Sequence, residues 1–441
     1  MRSPSRAWRW LLRKECCELV LSRSWWVMLG LTGPLVGLSF IDAVRAYGEA
    51  SGLGGTAAGL ADAMWPLDGI LAPTLSAYEV VALFLLPFVA IRMVAGDRQS
   101  GAARLEMQHS ISPLARVSVK AAVLLGGWSV ASAAGLLACI LWKSHGGSIY
   151  LPEVGSIALG HLLNAGFIVA LAAAAASISE HPSTAAILTL AFTVGTWVLS
   201  LMAAVHGDIW ERLAAYTPGE MLQAFQHALI PLSRVLAGLA LVGGGLSIAA
   251  VWMRTGVAVR RRASESIAIV AAGSALVFAC SFVRTGWDVS ENRRNSFSEP
   301  EEEILRRIRT PLAIEAHLAP EDPRRFELER QTLSKLKRIM PKVEVRYVSA
   351  TSIGLFEQAS PHYGEIRYDL GGRRAMNRIT TSEGVLETIY ELAGVAPPKE
   401  EEAGRHGHPL AVRPAHAGLL FYGIWPVAVA ALRLFLKWRL V

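Results

Sequence analysis

Residues Ala77–Lys120 read AYEVVALFLLPFVAIRMVAGDRQSGAARLEMQHSISPLARVSVK. From 77 to 95 the run is apolar except for Glu79 and Arg92 near its ends. It is close to the ~20 residues that carry a helix through ~30 Å of hydrocarbon. The composition then inverts. Asp97, Arg98, Arg104 and Glu106 are charged, Gly101 interrupts them, and Ser110–Ile111–Ser112–Pro113 is a turn signal. From 118 to 142 the chain is apolar again, with Lys120 at its threshold. Two membrane helices joined by a short charged segment account for this order.

The same pattern recurs outward. Span-length apolar segments lie at roughly 25–44, 156–178, 184–206, 230–253, 265–283 and 417–436, which makes eight spans in all. Of the 441 residues 52% are hydrophobic and 18% charged, with a mean hydropathy of +0.37. Ordinary soluble domains carry about a quarter charged residues. Residues 288–400 hold 19 of the 36 acidic residues and 18 of the 43 Lys and Arg, so the remainder is membrane-like. A single soluble enzyme, a disordered chain and a fibrous protein are excluded. The expected fold is mainly α: a polytopic membrane helical bundle of about eight transmembrane helices with a small extracytoplasmic α/β domain. The first apolar run is too long, and its basic lead too extended, for a cleavable signal peptide. The four cysteines show no paired spacing and read as reduced structural thiols.

Lys and Arg in short loops set the orientation. With the N-terminus in the cytoplasm, the inner side receives Arg2, Arg6, Arg9, Arg13, Lys14 and Arg23, then Arg92, Arg98, Arg104, Arg116 and Lys120. It also receives Arg254, Arg260, Arg261, Arg262, Arg433, Lys437 and Arg439, against Arg45, Lys143, Arg212 and Arg234 outside. Both termini are then cytoplasmic and 288–400 is periplasmic, in a bacterial cytoplasmic (inner) membrane. The net charge of +7 and pI near 9.4 follow from this asymmetry, and no nucleic-acid partner is expected.

Ionisable groups within the spans are few. Glu79, Arg92 and Arg234 lie near span ends, within reach of the interface. His161 and Asn164 share one face of the fourth span, which predicts an interhelical hydrogen bond. The mid-depth carboxylates or broken helices of a proton-coupled carrier are not evident. Ala172–Ala176 and Gly243–Gly245 permit close helix packing. The first 24 residues, MRSPSRAWRWLLRKECCELVLSRS, place Trp8, Leu11, Leu12, Cys16, Leu19 and Val20 roughly on one face with basic residues flanking it. This predicts an amphipathic helix lying in the interface.

The segment AGDRQSGAARLEMQHSISPLARVSVK resembles the signature loop of ABC-2 type permeases. The matching residues are Asp97, Arg98, Ser100, Gly101, Leu105, Glu106, Ser112, Pro113 and Lys120. The amphipathic N-terminal helix and a short apolar hairpin near Pro218–Pro231 are further shared features, and the resemblance covers residues 1–255. It implies an ATPase-coupling loop containing Asp97, Arg98, Gly101, Glu106 and Pro113, a separate ABC ATPase subunit as partner, and a dimeric permease or heteromeric assembly in membrane lipid. The chain has no GxxxxGK[ST] loop, and Gly52–Gly55 precedes no unit that would hold ATP. No cofactor, metal site or catalytic residue is expected.

In 288–400, Ser298 with Glu301 forms a capping box. Leu312–Leu318 alternates as a strand, Arg324–Met340 has helical spacing, and Val343, Val345 and Tyr347 form a second strand. Ile366–Asp369 and Ala375–Ile379 flank Gly371–Gly372 as a hairpin, and Thr381–Ala393 is a helix stopped by Gly394. Asp288–Arg294 followed by Ser296–Phe297–Ser298 resembles the start of the auxiliary domain of gliding-motility-type ABC transporters, here truncated. The first half is also similar to permeases of multicopper-enzyme maturation. The expected organisation is an interfacial helix at 1–24, an ABC-2 permease domain at 25–255, a connector with the seventh span at 256–287, the outer domain at 288–400, a linker at 401–416 and the last span with its tail at 417–441. His406, His408 and His416 read as part of a solvated tether. The function expected is that of the transmembrane subunit of an ATP-driven transporter, an exporter by family resemblance. The alternative is a mechanical coupler that relays ATP hydrolysis to a periplasmic machine of gliding, envelope or metalloenzyme maturation.

Overall fold

The computed structural model describes residues 4–49, 65–102, 106, 111–206, 208–319, 322–340, 342–348, 362–398 and 416–440. Gly52–Gly55, Leu105, His406 and His408 lie outside the described residues. The chain divides into two compact units, residues 1–289 with 406–441, and residues 290–405.

The first unit is helical. In chain order it holds α1 (Pro4–Leu21), α2 (Arg23–Gly48), α3 (Leu67–Gln99), α4 (Pro113–Ser144), α5 (Leu151–Ile178) and α6 (Pro182–Ala203). Two short helices follow, α7 (Asp208–Ala214) and α8 (Pro218–Gln226), and then β1 (Leu229–Pro231). The unit continues with α9 (Leu232–Trp252), α10 (Val259–Cys280), β2 (Gly286–Asp288) and, after the second unit, α14 (Leu419–Trp438). Among the described residues eight helices, α2 to α6, α9, α10 and α14, are long and apolar enough to cross a membrane. Each coincides with an expected span, but several begin earlier: α3 at 67 rather than 77, α4 at 113 rather than 118, and α10 at 259 rather than 265. Apolar content marks only the part of a helix that needs hydrocarbon. Hydrogen bonding continues through a polar first turn such as that containing Arg260, Arg261 and Arg262.

Local breaks have local causes. Within α3 the chain widens to a π-helical turn at Val81–Leu85, where the Leu86 N–H reaches back to the Val81 carbonyl. Pro87 follows at once, and its missing N–H and bulky ring cannot continue a regular ladder. Ser112 caps α4 by accepting from the Ala115 N–H at 3.2 Å, with Pro113 in the first turn. β1 and β2 pair antiparallel, Leu229 opposite Asp288, which ties the start of α9 to the segment after α10.

The second unit is a two-layer α/β fold. Its elements are α11 (Glu299–Arg307), β3 (Leu312–Ala316) and α12, which runs from Pro323–Leu328 through a π-helical turn at Glu329–Leu333 to Ser334–Ile339. These are followed by β4 (Val343–Tyr347), β5 (Ile366–Leu370), β6 (Arg373–Asn377) and α13 (Ser382–Ala393). The sheet order is β4-β3-β5-β6; β3 and β4 are parallel and the other pairs antiparallel. The register puts Leu312, Val343 and Leu370 in line, and Ile314, Val345 and Tyr368 in line. That face packs against Leu305, Leu328, Leu336, Val385 and Ile389 from the helices. The Ser298–Glu301 capping box is formed. Gly371 and Gly372 both have positive φ at the hairpin, and Gly394 at φ +70 ends α13.

Candidate functional site

The site lies where α1, the end of α3 and the start of α4 meet. α1 buries one stripe, Leu11, Glu15 and Leu19, spaced four apart on one face. Of the expected apolar face, Leu11 and Leu19 face the bundle, and Trp8, Leu12 and Cys16 are exposed, as is Trp10. Gly127 of α4 allows α1 to approach, because a methyl group there would meet the Leu19 side chain at 2.7 Å and Trp25 at 2.8 Å. An acid therefore sits in the middle of the stripe that faces the bundle, and burying it unpaired would cost several kcal/mol.

Two lysines supply the partners. Lys120, seven residues into α4, donates to Glu15 Oε1 at 2.6 Å and to Asp97 Oδ2. Lys14 donates to both Asp97 oxygens at 2.8 Å, to Glu106 Oε1 at 2.5 Å and to Glu15 Oε1 at 3.1 Å. Glu15, Asp97, Glu106 and Lys120 are buried and Lys14 is largely so. The cluster thus sets three buried carboxylates against two ammonium groups. Glu15 Oε2 is a buried oxygen with no partner. Burial alone would lower the Lys14 ammonium. Its hydrogen bonds to Asp97 and Glu106, with the Glu15 charge, outweigh that and hold it well above the usual lysine range. Burial and the nearby Asp97 carboxylate push the Glu18 carboxyl up.

Glu15, Asp97 and Glu106 each bring an oxygen within 4.8 Å of the others, a spacing that would suit a cation. The two ammonium groups already lie among these oxygens, so a metal ion would have to displace them. The arrangement joins three separate segments of chain, and Asp97, Glu106 and Lys120 also line a cavity of about 190 Å³.

The five expected coupling-loop residues divide. Asp97 and Glu106 come together in the cluster. Arg98 points elsewhere: its Nη1 donates to the carbonyls of Ala176, Ser177 and Ser179 at 2.9–3.0 Å. It thereby satisfies the last turn of α5, where a positive charge is favoured. Gly101 has φ +76 just past the end of α3, a conformation that suits glycine. Pro113 opens α4. Sequence reasoning missed Lys14 and Glu15 as members. The available signal was Glu15 in a strongly basic segment, flanked at four-residue spacing by Leu11 and Leu19.

The His161–Asn164 expectation is corrected. Both ring nitrogens of His161 and Asn164 Oδ1 are buried without a hydrogen-bond partner. The faces opposite α5 offer apolar groups and aromatic rings, with Tyr78 edge-on to His161 at 5.8 Å between ring centroids. Glu79 and Arg234 are engaged inside the protein. Glu79 Oε1 accepts from Gln226 at 2.6 Å, and Arg234 donates to the Glu220 and Met221 carbonyls. No family model, curated protein or solved structure matches the chain.

Proposed function

We propose that the chain is the transmembrane permease subunit of an ABC-2 type transporter, moving a substrate with energy from ATP hydrolysed on a separate subunit. The observation that carries this reading is the ion cluster that fastens α1 to the ends of α3 and α4. An ATPase at the membrane surface needs an element to push on, and a surface helix transmits force only where it is anchored to the spans. Lys14, Glu15, Asp97, Glu106 and Lys120 provide that anchor through buried, charge-assisted hydrogen bonds. Eight span-length helices supply the membrane part. In this reading both termini are cytoplasmic and the 290–405 unit is periplasmic.

A second reading, a mechanical coupler to a periplasmic machine, draws on that unit. It has its own core and leaves one sheet face, with Glu315, Glu344, Arg346, Arg367 and Arg374, outside that core. The test is extraction from source membranes in mild detergent. The transporter reading expects an ATPase subunit with a phosphate-binding loop to co-purify, and ATP-dependent substrate movement after reconstitution. ATP turnover without movement favours the coupler, and a chain that carries no ATPase contradicts both.

A further inference from the structure

A cavity of about 270 Å³ lies between α3, α4 and α5. Its wall is mostly apolar, with Leu75, Trp128, Leu136, Val154, Leu159 and Leu162. Its three hydroxyl side chains are engaged elsewhere. The Tyr78 hydroxyl donates to the Ala131 carbonyl at 3.0 Å and accepts from the Gly135 N–H at 2.8 Å. Ser129 donates to the Leu125 carbonyl and Ser132 to the Ser129 carbonyl. His161 is not so engaged. It lines the cavity and is only 6% exposed, and neither ring nitrogen has a partner. A neutral imidazole presents one donor and one acceptor. Leaving such a buried group unpaired is unfavourable, so it is a position at which a ligand gains specificity.

We propose that this cavity binds a neutral, membrane-dissolved amphiphile: a hydrocarbon body lies against the apolar wall, and a hydroxyl or carbonyl head pairs with His161. Three observations fix that class. None of the described residues lining the cavity is Asp, Glu, Lys or Arg, so a charged head would be desolvated without compensation. The wall is formed by helices of span length, and Leu136 and Leu162 at the cavity are 56% and 40% exposed, which gives access from the lipid side. Among the described wall residues, the fully buried side-chain nitrogen and oxygen atoms without a partner are the two ring nitrogens of His161, which calls for one polar head. The site is separate from the ion cluster and stands whether or not the chain couples to an ATPase.

The test uses the purified full chain in lipid nanodiscs with a diazirine-bearing C16 alcohol as the probe, and adducts mapped by mass spectrometry. Adducts should concentrate on 128–139 of α4 and 154–162 of α5. His161→Leu should cut labelling about tenfold, the equivalent of about one hydrogen bond. His161→Gln, which keeps a donor and an acceptor, should restore most of it. A diazirine hydrocarbon with no head should label all three proteins alike. Equal labelling of wild type and His161→Leu by the alcohol, or adducts spread evenly over the lipid-facing helices, overturns the proposal. Should His161→Leu fail to insert, competition by unlabelled hexadecanol on the wild-type chain decides, and its absence overturns the proposal.

Discussion

Lys120 illustrates how far burial changes the weight of a charge. Its side chain is 2% exposed and bridges Glu15 and Asp97. The Arg45–Asp42 pair is mostly exposed and 3.9 Å apart. Removing one partner of a buried pair leaves an uncompensated charge and costs about 3–5 kcal/mol, whereas an exposed pair is worth about 0–1 kcal/mol. Lys120→Met is therefore expected to lower the thermal stability of the purified chain sharply, and Arg45→Met to leave it nearly unchanged, when both are followed by melting in detergent. Equal effects would mean that the cluster bears no load. Asp322 makes a different point. Hydrogen bonds from Arg324 and the Tyr363 hydroxyl hold its carboxyl well below the usual aspartate range. A carboxyl lowered on folding stabilises fully above the unfolded value, about pH 4, and its contribution is lost as pH falls toward the folded one. Residues 288–400, expressed alone, should unfold cooperatively, and Asp322→Asn should flatten the fall in melting temperature below about pH 4. An unchanged acid limb would refute that role. Neither partnership was legible in sequence: Lys120 lies 105 positions from Glu15, and Tyr363 lies 41 from Asp322.

At the scale of elements, apolar runs fixed where helices cross but not which helices touch. Gly33 and Gly37 of α2 show the difference. A methyl at Gly33 would overlap the Trp425 ring, and one at Gly37 would overlap Phe421. Trp425 Nε1 also donates to the Leu29 carbonyl at 2.8 Å. This small-xxx-small spacing seats α14 on α2 across nearly the whole length of the chain. The sequence also suggests Ala172–Ala176 and Gly243–Gly245 as packing surfaces, although Gly243 has nothing within 4 Å of an added methyl. The alanine run is buried, and Gly245 packs on Ala170, where an added methyl would stand 2.9 Å from the Ala170 Cβ. Gly37→Leu should lower the melting temperature and open the C-terminal helix to protease, whereas Gly30→Leu, with nothing within 4 Å of the added carbon, should do neither. Indistinguishable variants would remove α14 from this seat. Among the described residues of the second unit the strands and the longer helices were legible, because strand alternation, the capping box and the glycine stops are local signals, although β6 lies at Arg373–Asn377 rather than Ala375–Ile379. The sheet order was not, because it depends on non-local pairing.

For the whole molecule, the proposed coupling rests on one junction assembled from three distant segments. α1 is held by ions as well as by the buried Leu11 and Leu19, so its attachment should respond to charge reversal at the cluster. The connector between α9 and α10 is the natural comparison, with Arg254 and Arg261 paired to Glu265 in a partly exposed setting. The most direct measurement compares ATPase co-purification and ATP-driven activity for wild type, Glu106→Arg, the swapped pair Lys14→Glu with Glu106→Lys, and Arg260→Glu, each at matched amounts of inserted protein. Glu106→Arg sets two positive charges against each other at Lys14 and should abolish association or uncouple activity. The swapped pair restores that one contact but turns the new carboxylate at position 14 toward Asp97 and Glu15, so it should recover at most part of the loss, and Arg260→Glu should change little. If Glu106→Arg retains full ATPase binding and ATP-dependent activity, the cluster does not couple ATP hydrolysis to the membrane helices.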